Sequence, residues 1–218
     1  MDEHLSLSER FSKVYTGAVS DILDRLGYRN QVLPRTLRGL TPGANVCGFA
    51  LTAYGETSTS QDPDAIFVPI LKMLGDVGPN QVVITQANDT TCSHLGELSA
   101  TTIKARGGVG AVIYGGVRDV DYIQKLGLDV FCLYTTPADV LGRWCLVDYN
   151  VPIVIENVKI HPMDIVLGDK DGVLVVPHPI AFTVLEQAEE LVGTENSVRR
   201  DVMNGVHPLD AYHTHGWF

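Results

Sequence analysis

Apolar residues near the start of the chain recur at helical spacing. Phe11, Val14, Ala18, Ile22 and Leu26 fall on one stripe. Ser6-Leu7-Ser8-Glu9 ahead of them has the capping-box pattern, and Gly27 supplies a stop. Gly17 predicts a split into two shorter helices. Residues 28–42 are loop-like and carry Arg29, Arg35 and Arg38, read as a solvated connector. The period then shortens. Residues 45–54 (NVCGFALTAY) read as a strand of small residues, followed by the polar loop ETSTSQ. Asp62-Pro63 opens a helix to about Leu74, with Pro69 a candidate kink. QVVIT (81–85) is a short buried strand, and DTTCS (89–93) a loop.

The stretch 94–122, HLGELSATTIKARGGVGAVIYGGVRDVDY, organises the rest. It reads as loop, helix, buried strand, tight turn at Gly115-Gly116, and then Arg118-Asp119. Gly96-Glu97-Leu98 opens the helix, and Gly107-Gly108-Val109-Gly110 is its exit turn into the strand, not a dinucleotide fingerprint. In an open parallel sheet, ligands sit beyond the carboxyl ends of the strands. Arg118 and Asp119 fall at such an end. The Gly96 turn falls at another, where free amides and a helix dipole favour an anion.

A short helix (VDYIQKLG) leads to an apolar strand at 128–134, and Pro137 follows. This alternation predicts a parallel, helix-covered sheet. Residues 143–160 and 164–176 are β-rich, with turns at 150–152 and 168–172, which predicts hairpins closing one side of the same domain. Residues 180–203 form a long helix that Gly193 interrupts and Gly205 stops; the tail HPLDAYHTHGWF is short and aromatic. No repeat, low-complexity run or linker divides the chain, so the expectation is a single α/β domain over 1–218.

Charge narrows the partners. The 218 residues carry a formal net charge of −10. Such a surface repels nucleic acid and anionic lipid, so an anionic substrate needs a local basic group. Cys47, Cys92, Cys132 and Cys145 are far apart and form no C-x-x-C, which suits reduced thiols in a cytoplasmic protein. The charged start is no secretory signal, and no apolar run approaches the ~18 residues of a membrane span.

Several candidate groups have plain structural readings. Asp169 and Asp171 in GDKDG mimic half a calcium loop but lack its closing glutamate, so a β-turn is the better reading. His213 and His215 with Asp210 form a candidate metal cluster, although terminal histidines are usually solvated. His94 is a candidate proton carrier; a lone histidine is more often structural. Lys104 is a Schiff-base candidate on a helix whose exposed face it suits better. No G-x-S-x-G or P-loop is present.

With these residues in view, the chain resembles the class II pyruvate aldolases of the 4-hydroxy-4-methyl-2-oxoglutarate/4-carboxy-4-hydroxy-2-oxoadipate type, which share a fold with the RraA-like regulators of ribonuclease E. The family pattern is an acid, twenty residues, then Arg-Asp; here it is Glu97, twenty residues and Arg118-Asp119. Ala18-Val19-Ser20-Asp21-Ile22-Leu23 and DIVLGDKDGVLVVP (164–177) are similar to two further family motifs. The aldolase pattern often has an acid three residues after Asp119, where this chain has Tyr122 with Asp121 adjacent.

The resemblance implies an RraA-like αββα sandwich with a central mixed sheet covered by helices. It implies Mg²⁺ or Mn²⁺ held by Asp119, with Glu97 steadying a bound water. Arg118 and the amides of Gly96, Glu97 and Leu98 would take the carboxylate of a small 2-oxo acid. Glu195 is the matching proton-transfer residue, from a neighbouring subunit's C-terminal helix, with Glu189 and Glu190 as alternatives. It further implies a homotrimer or hexamer, pyruvate release, and oxaloacetate decarboxylation as a side activity. The alternative is a non-enzymatic regulator that binds a ribonuclease, in which the Asp119 position can lack its acid.

Overall fold

The computed structural model describes residues 2–218. A nine-stranded mixed sheet forms its centre. The strands are β1 (Arg38–Gly39), β2 (Val46–Thr57), β3 (Gln81–Gln86), β4 (Ser93–Leu95), β5 (Gly110–Val117), β6 (Asp129–Thr135), β7 (Trp144–Tyr149), β10 (Ile165–Gly168) and β11 (Val173–Val176). Their order is β1-β6-β5-β3-β2-β10-β11, with β4 paired to β5 and β7 to β2. β2, β3, β5 and β6 are parallel; β10 and β11 extend the sheet antiparallel. β8 (Ile153–Ile155) and β9 (Val158–Ile160) form a separate hairpin.

Strand alternation sorts the core into layers. Val82, Ile84, Val112 and Phe131 from the parallel strands meet Val166, Val173 and Val175 from the antiparallel ones, with the β8–β9 hairpin packed among them. The sheet therefore curls over its own inner face. The opposite side chains of the same strands point outward. Leu51, Val83, Ala111, Ile113 and Val130 meet α3 (Pro63–Gly75), α4 (Glu97–Ala105) and α5 (Val120–Leu126). Phe49, Ile165, Leu167, Leu174 and Val176 meet α1 (Asp2–Phe11), α2 (Thr16–Arg25) and α6 (Ala181–Met203). Helices thus cover both halves of a folded-over sheet, as the αββα expectation requires. Both faces of β3 and β5 are buried, which explains their unbroken apolar runs.

Local departures have physical causes. α1 starts at Asp2, earlier than the Ser6 capping pattern. The helical stripe does break in two, but ahead of Gly17, which lies inside α2. The break is set from far away: Asp169 accepts hydrogen bonds from the Thr16 amide (2.9 Å) and hydroxyl (2.8 Å) and so caps α2. The turn at 150–152 joins no hairpin. β7 pairs instead with the extended end of β2, where Trp144 and Leu146 are buried, and the hairpin lies further on, around Glu156. The expected hairpin at 168–172 is present between β10 and β11. α6 runs unbroken through Gly193 because the burial of Ala188 and Leu191 offsets its weak propensity, and the tail folds into a last helix, α7 (Pro208–His215).

Candidate functional site

β4, α4 and β5 converge at one rim of the sheet. β4 runs parallel to the end of β5, pairing Ser93 with Gly116 and Leu95 with Val117. One residue beyond, the Arg118 amide donates to the Leu95 carbonyl at 2.9 Å. This places Gly96, the N-cap of α4, directly beside Arg118 and Asp119. A Cβ on Gly96 would stand 2.8 Å from Asp119 Oδ2 and 3.1 Å from Arg118 Nε, so only glycine permits the approach.

Asp119 adopts left-handed backbone geometry (φ 59°, ψ 38°) at the start of α5. That region is costly for most side chains and tolerable for Asp, and its use here turns the carboxylate toward α4. Oδ2 accepts the Glu97 amide at 3.1 Å. The Gly96 side has no capping side chain of its own, so Asp119 caps α4 across the rim. The Glu97 amide is thereby spent internally, and the anion cradle expected from Gly96, Glu97 and Leu98 has one donor fewer. Oδ1 has no hydrogen-bond partner among the described residues.

Arg118 is fixed on two sides. Its Nη1 donates to Asp139 Oδ1 at 3.0 Å, and its Nε lies 3.5 Å from Asp119 Oδ2. Nη2 makes no hydrogen bond among the described residues. Arg118 and Asp119 open onto a cleft of about 310 Å³ that Val120, Thr135, Thr136 and Pro137 complete. Glu97 is half-buried, Leu98 is 76% exposed, and Tyr122, under Lys125, is 64% exposed. Asp139 had no motif to mark it. Its signal is its contact with the guanidinium, 21 residues away in sequence.

The expected glutamates lie elsewhere in the chain. Glu195 accepts a 3.3 Å hydrogen bond from Trp217 Nε1 on the α6 surface. Glu189 forms a two-point pair with Arg10 at 2.6 and 3.0 Å, and Glu190 lines a separate cavity with Arg25 and His215. None lines the Arg118–Asp119 cleft within one chain. Lys104 Nζ donates to the carbonyls of Leu126 and Gly127, closing the end of α5, which is a structural use. His215 pairs with Asp201 at 2.7 Å, so it anchors α7 to α6 and forms no cluster with His213 and Asp210.

His94 is buried behind the rim. Its Nδ1 accepts the Gly116 amide at 3.0 Å, so the ring proton sits on Nε2 and points at Asp89 Oδ2, 3.2 Å away. Burial pushes the His94 pKa below its ordinary value, against the pull of Asp89. Burial pushes Asp89 up, but hydrogen bonds from Thr91 and Cys92 outweigh it and hold the carboxyl at about 2. Burial drives the Cys92 thiol to about 12. Asp89, Cys92 and His94 bring three ligand-type atoms within 4.8 Å of one another. The imidazole is oriented against an ion, however. A ligating histidine donates its second N–H to an acceptor. Here the second nitrogen faces a backbone donor, so freeing Nε2 would require an imidazolate. The trio is a hydrogen-bonded strut, and His94 has no proton to pass to the cleft.

A mixed α/β sandwich with a guanidinium, a carboxylate and a helix N-terminus at one sheet rim defines the class. The chain belongs to the RraA-like family: the Aldolase/RraA family model matches residues 16–175. It is 28% identical over 204 residues to a Halalkalibacterium halodurans protein named "Putative 4-hydroxy-4-methyl-2-oxoglutarate aldolase", spanning 93% of this chain and 91% of that one. Six further relatives of that name match over 39–46% of this chain and 52–61% of theirs. Among solved structures, one described under "novel cellulases from microbes associated with the gut ecosystem" is 32% identical with a TM-score of 0.84, covering 88% of this chain and 86% of that one. RraAS2 of Streptomyces coelicolor, described as an unusual member of the RNase ES inhibitor RraA family, is 27% identical with a TM-score of 0.80, covering 89% and 96%. No helix among the described residues is long and apolar enough to cross a membrane, and the four cysteines are free thiols.

Proposed function

We propose that this chain is a divalent-metal-dependent lyase that cleaves a 4-hydroxy-2-oxo acid, of the 4-hydroxy-4-methyl-2-oxoglutarate kind, to release pyruvate. The observation that carries this reading is Asp119: an exposed carboxylate, aimed by its backbone, beside a guanidinium held on two sides. The donor set suits Mg²⁺ or Mn²⁺, hard ions that accept one carboxylate and keep several waters. Asp119 would hold the ion and Glu97 one of its waters. The ion, when bound, would supply Lewis-acid stabilisation of the oxyanion that grows at the 2-oxo group.

The remaining work falls to the protein. Arg118 takes the substrate carboxylate, its planar fork suiting that shape better than an ammonium. The free first-turn amide of Leu98 and the Gly96 turn support the same anion, and the α4 dipole adds to it. Cleavage breaks the C3–C4 bond, leaves its electron pair on C3 and takes a proton from the C4 hydroxyl. We assign that proton to Glu195 on α6 of a neighbouring copy, in a homotrimer or hexamer. Oxaloacetate would lose carbon dioxide at the same site, because the same enolate forms.

The test is pyruvate release from 4-hydroxy-4-methyl-2-oxoglutarate and from oxaloacetate with Mg²⁺ or Mn²⁺. Turnover should vanish on chelation, return with added ion, and be lost in Asp119→Ala. Activity that survives thorough chelation overturns the metal role. A second reading, a regulator that binds a ribonuclease, is favoured by the likeness to RraAS2. Tight binding of a purified ribonuclease E-type enzyme by a chain with no lyase activity would put that reading first.

A further inference from the structure

The two glycines before the Arg-Asp pair do not make a turn. β5 continues through Gly115 and Gly116 to Val117, with its register to β6 shifted between Ile113 and Gly116. The irregularity is a seat for rings. A Cβ on Gly115 would stand 2.4 Å from His94 Nδ1, and one on Gly116 would stand 2.4 Å from the Tyr134 ring and 2.5 Å from the Cys92 carbonyl. His94 therefore occupies space that the sequence cleared for it, edge-on to Trp144 with ring centroids 5.0 Å apart.

Its two nitrogens link the two arms of the site. Nδ1 takes the Gly116 amide, two residues before Arg118, while the His94 backbone lies two residues before Gly96. Nε2 is anchored by Asp89, whose carboxylate is itself held by the Thr91 amide and hydroxyl (2.8 and 2.7 Å) and the Cys92 amide (3.0 Å). The Tyr134 hydroxyl closes the loop onto the Cys92 carbonyl at 3.1 Å. β4 is only three residues long, and its pairing with β5 skips a register step at His94. The imidazole fills that gap.

We infer that His94 is a positioning residue: through Asp89 on one side and the Gly116 amide on the other, it sets the spacing between the α4 N-terminus and the Arg118–Asp119 pair. It touches neither substrate nor ion. Its consequence for turnover rests on the lyase reading, whereas its consequence for the rim does not.

The experiment compares His94→Ala and His94→Asn with the parent chain. Asparagine can still accept the Gly116 amide but cannot reach Asp89. In His94→Ala, hydrogen exchange at the Glu97 and Arg118 amides should quicken about tenfold while amides of β3 and α6 stay as they were. Mn²⁺ affinity, read from the free-ion paramagnetic resonance signal, should fall about ten- to a hundredfold, and His94→Asn should recover part of both. Imidazole ¹⁵N shifts of the parent should show the Nε2–H tautomer. Parent-like exchange at both amides in a folded His94→Ala overturns the inference, as does an Nδ1–H tautomer. If His94→Ala does not fold, His94→Asn and the tautomer decide. A parent chain without lyase activity would overturn the proposed function and leave the amide result to judge this inference alone.

Discussion

The carboxylate of Asp119 stands in the space that a side chain on Gly96 would fill: a Cβ there would lie 2.8 Å from Oδ2. Two residues 23 positions apart in sequence thus meet because one has no side chain and the other has left-handed backbone geometry. Gly96 itself is extended (φ −125°, ψ −176°), a conformation alanine adopts without strain. Gly96→Ala should therefore leave the fold intact and displace the carboxylate. We expect kcat/KM for the 2-oxo acid to fall about a hundredfold, with the melting temperature lowered by only about 2–4 °C through the lost cap on α4. Steady-state kinetics beside a thermal melt checks both halves.

Asp139 aims the guanidinium. Removing it frees Nη1 of Arg118, and both side chains are 38% exposed, so little folding energy is at stake. Asp139→Ala should raise KM about tenfold through a misdirected Arg118 and shift stability by less than about 1 kcal/mol. An unchanged KM would show that Asp119 and the cleft walls orient Arg118 without help.

Acid should weaken the fold through the Asp89–His94 pair. The folded-state pKa of His94 lies below its ordinary 6.5, so between those two values the unfolded chain binds more protons and stability rises with pH. The contribution is complete above 6.5. Asp89 behaves alike at lower pH: its stabilisation is present above 3.8 and is lost as pH falls toward about 2. Thermal melts from pH 3 to 8 should climb and level off near 6.5. In His94→Asn the climb just below pH 6.5 should flatten, and a slope equal to the parent's would assign it to other groups.

Much of this was legible in the sequence, because the relevant signals are local. Period, glycine stops and the Asp62-Pro63 start located α3 through α6 and the parallel strands to within a few residues. The positions of Arg118 and Asp119 followed from where an apolar run ends. What stayed hidden depends on residues distant in sequence. Asp139 reaches Arg118 across 21 positions, and Asp169 reaches Thr16 across 153. Gly115-Gly116 looked like a turn because a glycine pair cleared for a ring and one needed for a bend are spelled alike. His94 could not be assigned either role until its two nitrogens had partners. The role of Glu195 is a different matter, since its proposed place lies between copies of the chain.

The glycine pair offers the sharpest test of packing. Gly116→Ala would push a methyl group to 2.4 Å from the Tyr134 ring and 2.5 Å from the Cys92 carbonyl. Neither neighbour is a free end: Tyr134 is tied by its hydroxyl to Cys92, and Cys92 is fully buried. β5 must shift or Tyr134 must leave, and overpacking of this kind costs about 1–3 kcal/mol. Gly27→Ala gives a contrast, since nothing lies within 4 Å of its added Cβ and only its φ of +88° resists. That substitution should cost about 1 kcal/mol through backbone strain and leave metal binding untouched. Denaturant unfolding of the two variants should therefore show a similar or larger loss for Gly116→Ala. Only Gly116→Ala should also weaken Mn²⁺ binding, because the strand that carries Arg118 and Asp119 has moved.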